Sequence, residues 1–378
     1  MSCKRALSNF VLGRIAVWTA TSRKSAAPPK AVFVLRNNDL GDVLTSTPLF
    51  EALKRLWPGT RVIAGVGDWA RPLLANNPHV DEVLSVNAPW HNHPRAHYPP
   101  NSLRGLAAAV RYIYFSPEVR SVRRRRADIG VDVLGSLPGS LLLLRAAIPR
   151  RVGVRGYAGG ESGCTDTVVY SDDEYVGCSP LRQVGLLGLA DDRLPSVRPQ
   201  VFLTPSELAR AEAVWNGAPP SRRILVGLGG GYPQKCWPSA HLRLVVEQFA
   251  REGSWAIRLV GGPADHAAGF TLAEGLPSVV NLAGTVSLRD TLALAATAGR
   301  VLCNSSFVMH AAAAFARPTV VLLGPAYASA QSHARQWSCN PHARILGPEP
   351  HSPDVTSPDI AASALRDLPV VAPAGASA

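Results

Sequence analysis

A chain of 378 residues, 47% of them hydrophobic, is ordinary globular material, and at roughly 100 to 200 residues per domain it predicts two domains, each with its own core. Its 39 Lys and Arg against 27 Asp and Glu leave a net charge of +12, which favours an anionic partner without separating nucleic acid, phospholipid and phosphorylated small molecules. The six cysteines (Cys3, Cys164, Cys178, Cys236, Cys303 and Cys339) form no C-x-x-C pair, which argues against a zinc knuckle or a disulfide framework and for a reducing, cytoplasmic setting.

Residues 1–30 read as a basic arm. Its apolar stretch FVLGRIAVW carries Arg14 and no small-residue cleavage site follows, so a signal peptide is a poor fit. Leu7, Phe10, Val11, Ile15 and Trp18 recur at helical spacing beside Lys4, Arg5 and Arg14, the pattern of a helix lying in an anionic membrane surface; a helix packed on the protein, or a frayed tail, fits as well.

Residues 31–200 form the first predicted lobe. AVFVLR reads as a strand, NNDLGD as a loop and VLTSTPLFEALKRLW as a helix; VIAGVG, EVLSV and IGVDVLG are further short strands with crossovers between them. VDVLGSLPGSLLLLRAAI, broken by Pro138 and carrying Arg145, is too interrupted for the ~20 apolar residues of a membrane span and reads as strand, loop and helix. Residues 88–104, rich in Pro and His, predict a long exposed loop; His91, His93 and His97 suggest a metal only weakly, since no carboxylate accompanies them in the sequence.

Residues 201–350 repeat the α/β pattern. Thr204, Pro205 and Glu207 open a helix in capping-box form, and ILVGLGGG, WAIRLVGG, VVNLAG, RVLCNSS and TVVLLGP are strands ending mostly in Gly, Ser or Pro. Such endings put small residues at the carboxyl ends of parallel strands, where open α/β sheets bind ligands, and predict two Rossmann-like lobes facing a cleft. Residues 351–378 predict a helix returning to the first lobe and then a disordered tail.

Several strand ends carry chemistry. In RNNDLGD, Gly41 permits a sharp turn or a close approach, and Asp42, placed just before the helix, suits a general base that takes a proton from an attacking hydroxyl. Spacing alone leaves Asp39 and Asp42 interchangeable between base and N-cap. In GGGYPQKCWP, Gly229 and Gly230 free backbone amides and Lys235 adds a fixed positive charge, a combination suited to a diphosphate, while Trp237 is either core or a base-stacking surface. Ser305 and Ser306 stand where a strand gives way to a helix, a second phosphate candidate. His310 falls one turn later, facing the cleft or the core, and Asp265 in LVGGPADH suits ribose hydroxyls or a helix cap.

Taken together, VFVLRNNDLGDVLTSTPLFEAL, GGGYPQKCWP, LVGGPADH, NLAGTVSLRDTLAL and VLCNSSFVMHAAAAFARPTVVLLGP resemble glycosyltransferase family 9, which includes the heptosyltransferases of lipopolysaccharide core synthesis, over residues 31–330. The resemblance implies a GT-B fold and inverting, metal-independent transfer from a nucleotide-diphosphate sugar, with ADP-heptose the leading donor and no further cofactor. The acceptor it implies is an anionic glycolipid or glycan of the lipopolysaccharide inner core, met by a monomer at the inner face of the membrane. By position it makes Asp42 the base, Lys235 of K-x-W-P the donor-phosphate contact, Asp265 the ribose contact and His310 the histidine of N-D-S-G-x-x-H. The chain departs from that last motif: Ser305 and Phe307 replace the usual aspartate and glycine, which implies an altered donor or weakened activity.

Within that resemblance, Arg123, Arg124, Arg125 and Arg126, with Arg120, Arg150, Arg151 and Arg155, are expected to meet acceptor phosphates, unless they form a solvated face or grip anionic lipid. The competing readings are a nucleotide-sugar binder without transferase activity, a nicotinamide oxidoreductase and a nucleic-acid binder. The missing G-x-G-x-x-G after the first strand argues against the second, and the scattered aromatics against the third.

Overall fold

The computed structural model describes residues 27–99, 102–352 and 354–371. The expected membrane-surface helix of the N-terminal arm and the disordered tail therefore lie outside the described residues. The chain divides after Gln200 into two compact units.

In the first unit β1 (Ala31–Leu35), α1 (Leu40–Thr45), α2 (Pro48–Leu56), β2 (Arg61–Val66), β3 (Glu82–Ser85), α3 (Leu103–Phe115) and α4 (Pro117–Arg124) are followed by β4 (Ile129–Asp132), α5 (Leu137–Arg145), β5 (Arg150–Arg155), β6 (Asp166–Val169) and α6 (Cys178–Leu187). The six strands are parallel in the order β3-β2-β1-β4-β5-β6. β1 is apolar at every position because both faces of a parallel sheet are covered: Phe33 and Leu35 pack with Ile63, Leu142, Leu143 and Ile148. The predicted single helix after the first loop is two, since Pro48 cannot continue the α1 hydrogen bonds and instead starts α2 at its first turn. The helix also begins earlier than predicted, so Asp39 holds the N-cap position while Gly41 and Asp42 lie in the first turn.

The second unit runs α7 (Pro205–Val214), β7 (Arg223–Gly227), α8 (Ser239–Arg251), β8 (Ala256–Val260), α9 (His266–Ala273), β9 (Val279–Asn281), α10 (Leu288–Thr297), β10 (Arg300–Asn304), α11 (Phe307–Ala314), β11 (Thr319–Leu322), α12 (Ala330–Trp337), β12 (Ala343–Leu346) and α13 (Pro358–Arg366). Its sheet, β12-β11-β10-β7-β8-β9, is again parallel and repeats the strand order of the first. Thr204 and Glu207 cap α7 reciprocally, with Pro205 in its first turn. The C-terminal helix corrects the expectation of a return to the first lobe: Ala361, Ala362, Ala364 and Leu365 of α13 are buried in the core of the second unit, against α8 and β11. Small side chains at those positions let the helix sit close on the sheet, and that burial holds it there.

In each sheet the chain leaves the central strand in opposite directions, between β1 and β4 and between β7 and β10. Neighbouring loops diverge there and open a crevice at the carboxyl ends of the strands, the usual ligand position in such sheets.

Candidate active site

At the carboxyl end of β1, Arg36 Nη2 donates to Asp42 Oδ1 at 3.2 Å and Arg36 Nε to the Asp42 carbonyl at 3.1 Å. The Asp42 side chain keeps 30% of its surface exposed against 10% for Arg36, so the guanidinium is the more buried partner of the pair. Asp39 is turned elsewhere: its carboxylate accepts from the His93 backbone N–H at 2.8 Å and meets His93 Nδ1 at 2.5 Å. The two aspartates thus differ in placement, Asp39 at the N-cap and bound to His93, Asp42 in the first turn and bound to Arg36.

The Pro/His-rich loop is tied to this strand end. Asn37 Nδ2 donates to the Trp90 carbonyl at 3.1 Å, Asn38 Nδ2 to that of His91 at 2.9 Å, and Trp69 Nε1 to the Asn38 carbonyl at 2.9 Å. The sequence reading gave the loop's histidines no carboxylate, whereas His93 has Asp39; among the described residues no three His, Cys, Asp or Glu side chains form a metal-holding group. Across the switch point, buried Asp132 ends β4. Burial pushes its pKa up to about 7, opposed by amide N–H bonds from Ser136, at 2.9 Å, and Gly135 and by the Arg36 charge. Burial and the same Arg36 charge hold His91 below the usual histidine value. Arg36, His91 and Asp132 escaped the sequence reading; Arg36 and Asp132 stand at the ends of the two switch-point strands, a signal that alternating apolar runs do not carry.

The predicted acceptor arginines are not brought to this edge. Arg123, Arg124, Arg125 and Arg126 close α4 and lead straight into β4, at the amino ends of the strands, and Arg125 Nη2 is bound to Glu82 Oε1 at 2.6 Å where β3 begins. A crossover helix must return the chain to the start of the next strand, so its last turn lies on the opposite edge from Asp42. Arg150 pairs with Asp166 at 3.2 Å, and Arg151 is buried with its guanidinium on the Ile148, Pro149 and Gly163 carbonyls. Arg155, exposed at the carboxyl end of β5, does reach the ligand edge.

In the second unit the predicted donor residues gather at the ends of β7, β8 and β10. Asn304 joins them: its Oδ1 accepts from the Trp237 backbone N–H at 2.8 Å and its Nδ2 donates to the Leu228 carbonyl at 2.8 Å. That clamp places the turn carrying Lys235, which is exposed and sits with Nζ 5.3 Å from the Tyr232 ring centre. Trp237 itself is core, with Nε1 bonded to the Thr356 carbonyl at 3.0 Å. Asp265 Oδ2 accepts from the Gly262 N–H at 2.8 Å and lies so close to Gly229 and Gly261 that a Cβ there would stand 3.0 and 2.6 Å from it. Two strand ends are thereby drawn together around one carboxylate. Gly230 is held equally closely by Cys236, with 2.6 Å between its would-be Cβ and Sγ.

At the β10–α11 junction Ser305 Oγ lies 2.7 Å from His333 Nε2, with the Tyr327 ring 5.0 Å from the His333 ring. Burial, then the Lys235 charge, lowers the His333 pKa to about 4. Ser306, the N-cap of α11, makes no side-chain cap bond, and its buried Oγ has no hydrogen-bond partner among the described residues. His310 is buried inside α11 with its ring 6.4 Å from that of Trp337, and burial, then His333, brings it to about 4, so it is neutral at pH 7. Asn304, Tyr327 and His333 were not singled out from the sequence; His333 arrives from α12, some thirty residues beyond the Ser-Ser motif, a proximity that no local pattern encodes.

The sequence profile of glycosyltransferase family 9 (heptosyltransferase) matches residues 118–364. Lipopolysaccharide heptosyltransferase 2 of Salmonella typhimurium is 28% identical over 78% of this chain and 82% of its own length. Lipooligosaccharide heptosyltransferase 2 of Haemophilus influenzae is 25% identical over 78% and 83%. The structure of Escherichia coli ADP-heptose lps heptosyltransferase II superposes with a TM-score of 0.66 at 22% identity, covering 89% of this chain and 97% of that one. The fold is α/β of the GT-B kind, and the protein, a glycosyltransferase, belongs to glycosyltransferase family 9.

Proposed function

We propose that this enzyme transfers a heptose, with inversion and without a metal, from a nucleotide-diphosphate donor, ADP-heptose first among candidates, to an anionic glycolipid acceptor of the lipopolysaccharide core. Its relatives' names supply the substrate class. Two features, one in each unit, support the reading: the Asp42 carboxylate held on Arg36, and the Ser306 hydroxyl buried at the start of α11 with no hydrogen-bond partner among the described residues.

In that chemistry Asp42 takes the proton of the acceptor hydroxyl as its oxygen attacks the anomeric carbon. The bond to the nucleoside diphosphate breaks on the opposite face, which inverts the centre. Lys235, the α11 amides and the unpartnered Ser306 hydroxyl receive the charge that develops on the leaving diphosphate. Asp265 holds the ribose hydroxyls. His310 supports the helix from inside rather than meeting the donor.

A second reading, a nucleotide-sugar binder with weak or no transfer, is favoured by one feature: neutral Ser305, hydrogen-bonded to His333, fills the place of the motif's aspartate. Transfer from ADP-heptose to a core acceptor, with UDP- and GDP-sugars as alternatives, decides between them. Turnover by the native chain and its loss in D42N establish the transferase; donor-induced thermal stabilisation without turnover establishes the binder, and neither response defeats both readings.

A further inference from the structure

Between Glu82 and Glu118 the sequence contains no acidic residue, while Arg95, Arg104 and Arg111 fall in that interval. The middle of it is α3, a helix that is apolar on two sides. Gly105, Ala109 and Ile113 bury one side, four residues apart. On the other, Leu103, Leu106, Val110 and Tyr114 are exposed, with Phe115 at the helix end; Leu103 is 85% and Phe115 72% accessible. A surface helix ordinarily covers one apolar stripe and turns charges outward, so the second stripe has a use that the fold does not supply.

Cations flank that stripe. Arg104 and Arg111, seven residues apart, point along one margin, and Arg145 lies over the Tyr114 ring at 5.6 Å. Arg104 and Arg111 also line an open groove of about 840 Å³ with Arg95, His97, Tyr98 and Tyr112. Arg95, Arg104 and Arg111 form no ion pair among the described residues. Of the neighbouring carboxylates, half-buried Glu118 accepts from Asn87 and from the Tyr112 hydroxyl, while Asp68 is exposed, accepts from Ser85 and Asn87, and acts on Arg95 through its charge. Apolar side chains projecting from a helix that carries Arg104 and Arg111 and no acidic residue fit a bilayer with anionic headgroups, because hydrocarbon burial and charge attraction then act on one face.

We propose that α3 and its groove are the surface by which this protein docks on an anionic membrane, Leu103, Leu106, Val110 and Phe115 entering the headgroup boundary and Arg95, Arg104 and Arg111 contacting lipid phosphates. The proposal rests on the glycolipid acceptor suggested above only in purpose, and a binding assay reads it with no transfer step. The loop that forms the groove's other wall is the one bonded to Asn37, Asn38 and Asp39, so docking holds the Asp42 end of the first sheet near the bilayer.

The test is co-sedimentation of the full chain with phosphatidylcholine vesicles, with and without phosphatidylglycerol. The native chain is expected to pellet with the anionic vesicles and less so at high salt, and R104E/R111E to bind at least about tenfold more weakly. L103S/L106S/V110S leaves the charge unchanged and should also bind less, which separates insertion from attraction alone. These positions are exposed, so unchanged melting curves verify the fold of each variant. Native binding by both variants, which would assign docking to residues 1–26 or elsewhere, overturns the proposal. So does failure of the native chain to bind anionic vesicles, or a native dimer that the serine variant turns into monomers.

Discussion

Arg36 holds Asp42 by both its carboxylate and its carbonyl, through Nη2 at 3.2 Å and Nε at 3.1 Å, so that one guanidinium fixes the backbone turn and the side chain it presents. A base fixed in this way loses little freedom when a hydroxyl arrives.

D42N is therefore expected to lower kcat by about 10²–10⁴, the usual contribution of a positioned base, while thermal stabilisation by the donor persists. R36A should lower kcat less and leave donor affinity intact, and because the buried Arg36 charge also acts on Asp132 and His91, it should lower stability as well. Steady-state transfer assays and donor titrations check both, and a D42N enzyme with native kcat sinks the assignment.

Lys235 is exposed and forms no ion pair among the described residues, so K235A should leave the melting temperature unchanged. Loss of a charge-assisted contact worth about 1.5–3 kcal/mol should weaken nucleoside-diphosphate binding roughly ten- to a hundredfold. Calorimetric titration of ADP measures it, and equal affinity in the variant removes Lys235 from the site.

Asn304 predicts a different outcome. N304A strands the buried Trp237 N–H and the Leu228 carbonyl, costing about 1–3 kcal/mol of stability, and loosens the Lys235 turn as well. Denaturant melts and ADP titration on the same variant should both move; a change in binding at native stability would contradict the clamp.

For His310 the sign follows from its lowered pKa. The unfolded chain takes up this proton below about 6.5 and the folded chain only near 4, so the stabilising effect of neutral His310 is complete above pH 6.5 and is lost as pH falls toward 4. Across that window the loss is about 3 kcal/mol. H310Q should flatten that part of the stability–pH profile, and an unchanged acid limb would show that the histidine titrates normally.

Much of the fold was legible in the sequence because buried parallel strands are continuous apolar runs bounded by small residues. AVFVLR, ILVGLGGG and RVLCNSS stand in the structure where their pattern put them. β5 was not legible, since Arg150, Arg151 and Arg155 disguise a strand paired on both sides, by β4 and β6, as a basic surface; the structure shows the buried Arg151 guanidinium hydrogen-bonded to three carbonyls. Among the candidate site residues, those tied to a local turn (Asp42, Lys235, Asp265, Ser305 and Ser306) could be named from the sequence, because each stands at a strand end that the pattern marks. Asn304, His333 and Asp132 depend on contacts across the sheet or from a distant helix, which spacing cannot express. Arg123–Arg126 end α4 at the edge where β4 begins, a placement that charge composition cannot record.

Arg151, Arg223, Arg258, Arg300 and Arg317 are all buried, each with its guanidinium group bonded to a peptide oxygen, and Arg223 and Arg258 each sit 5.6 Å from the Trp215 ring. These side chains are internal fasteners that no solute can touch. Retention on a cation-exchange column should consequently follow the few outward-facing arginine clusters, and an isoelectric point of 9.9 overstates how adhesive the molecule is toward polyanions at large.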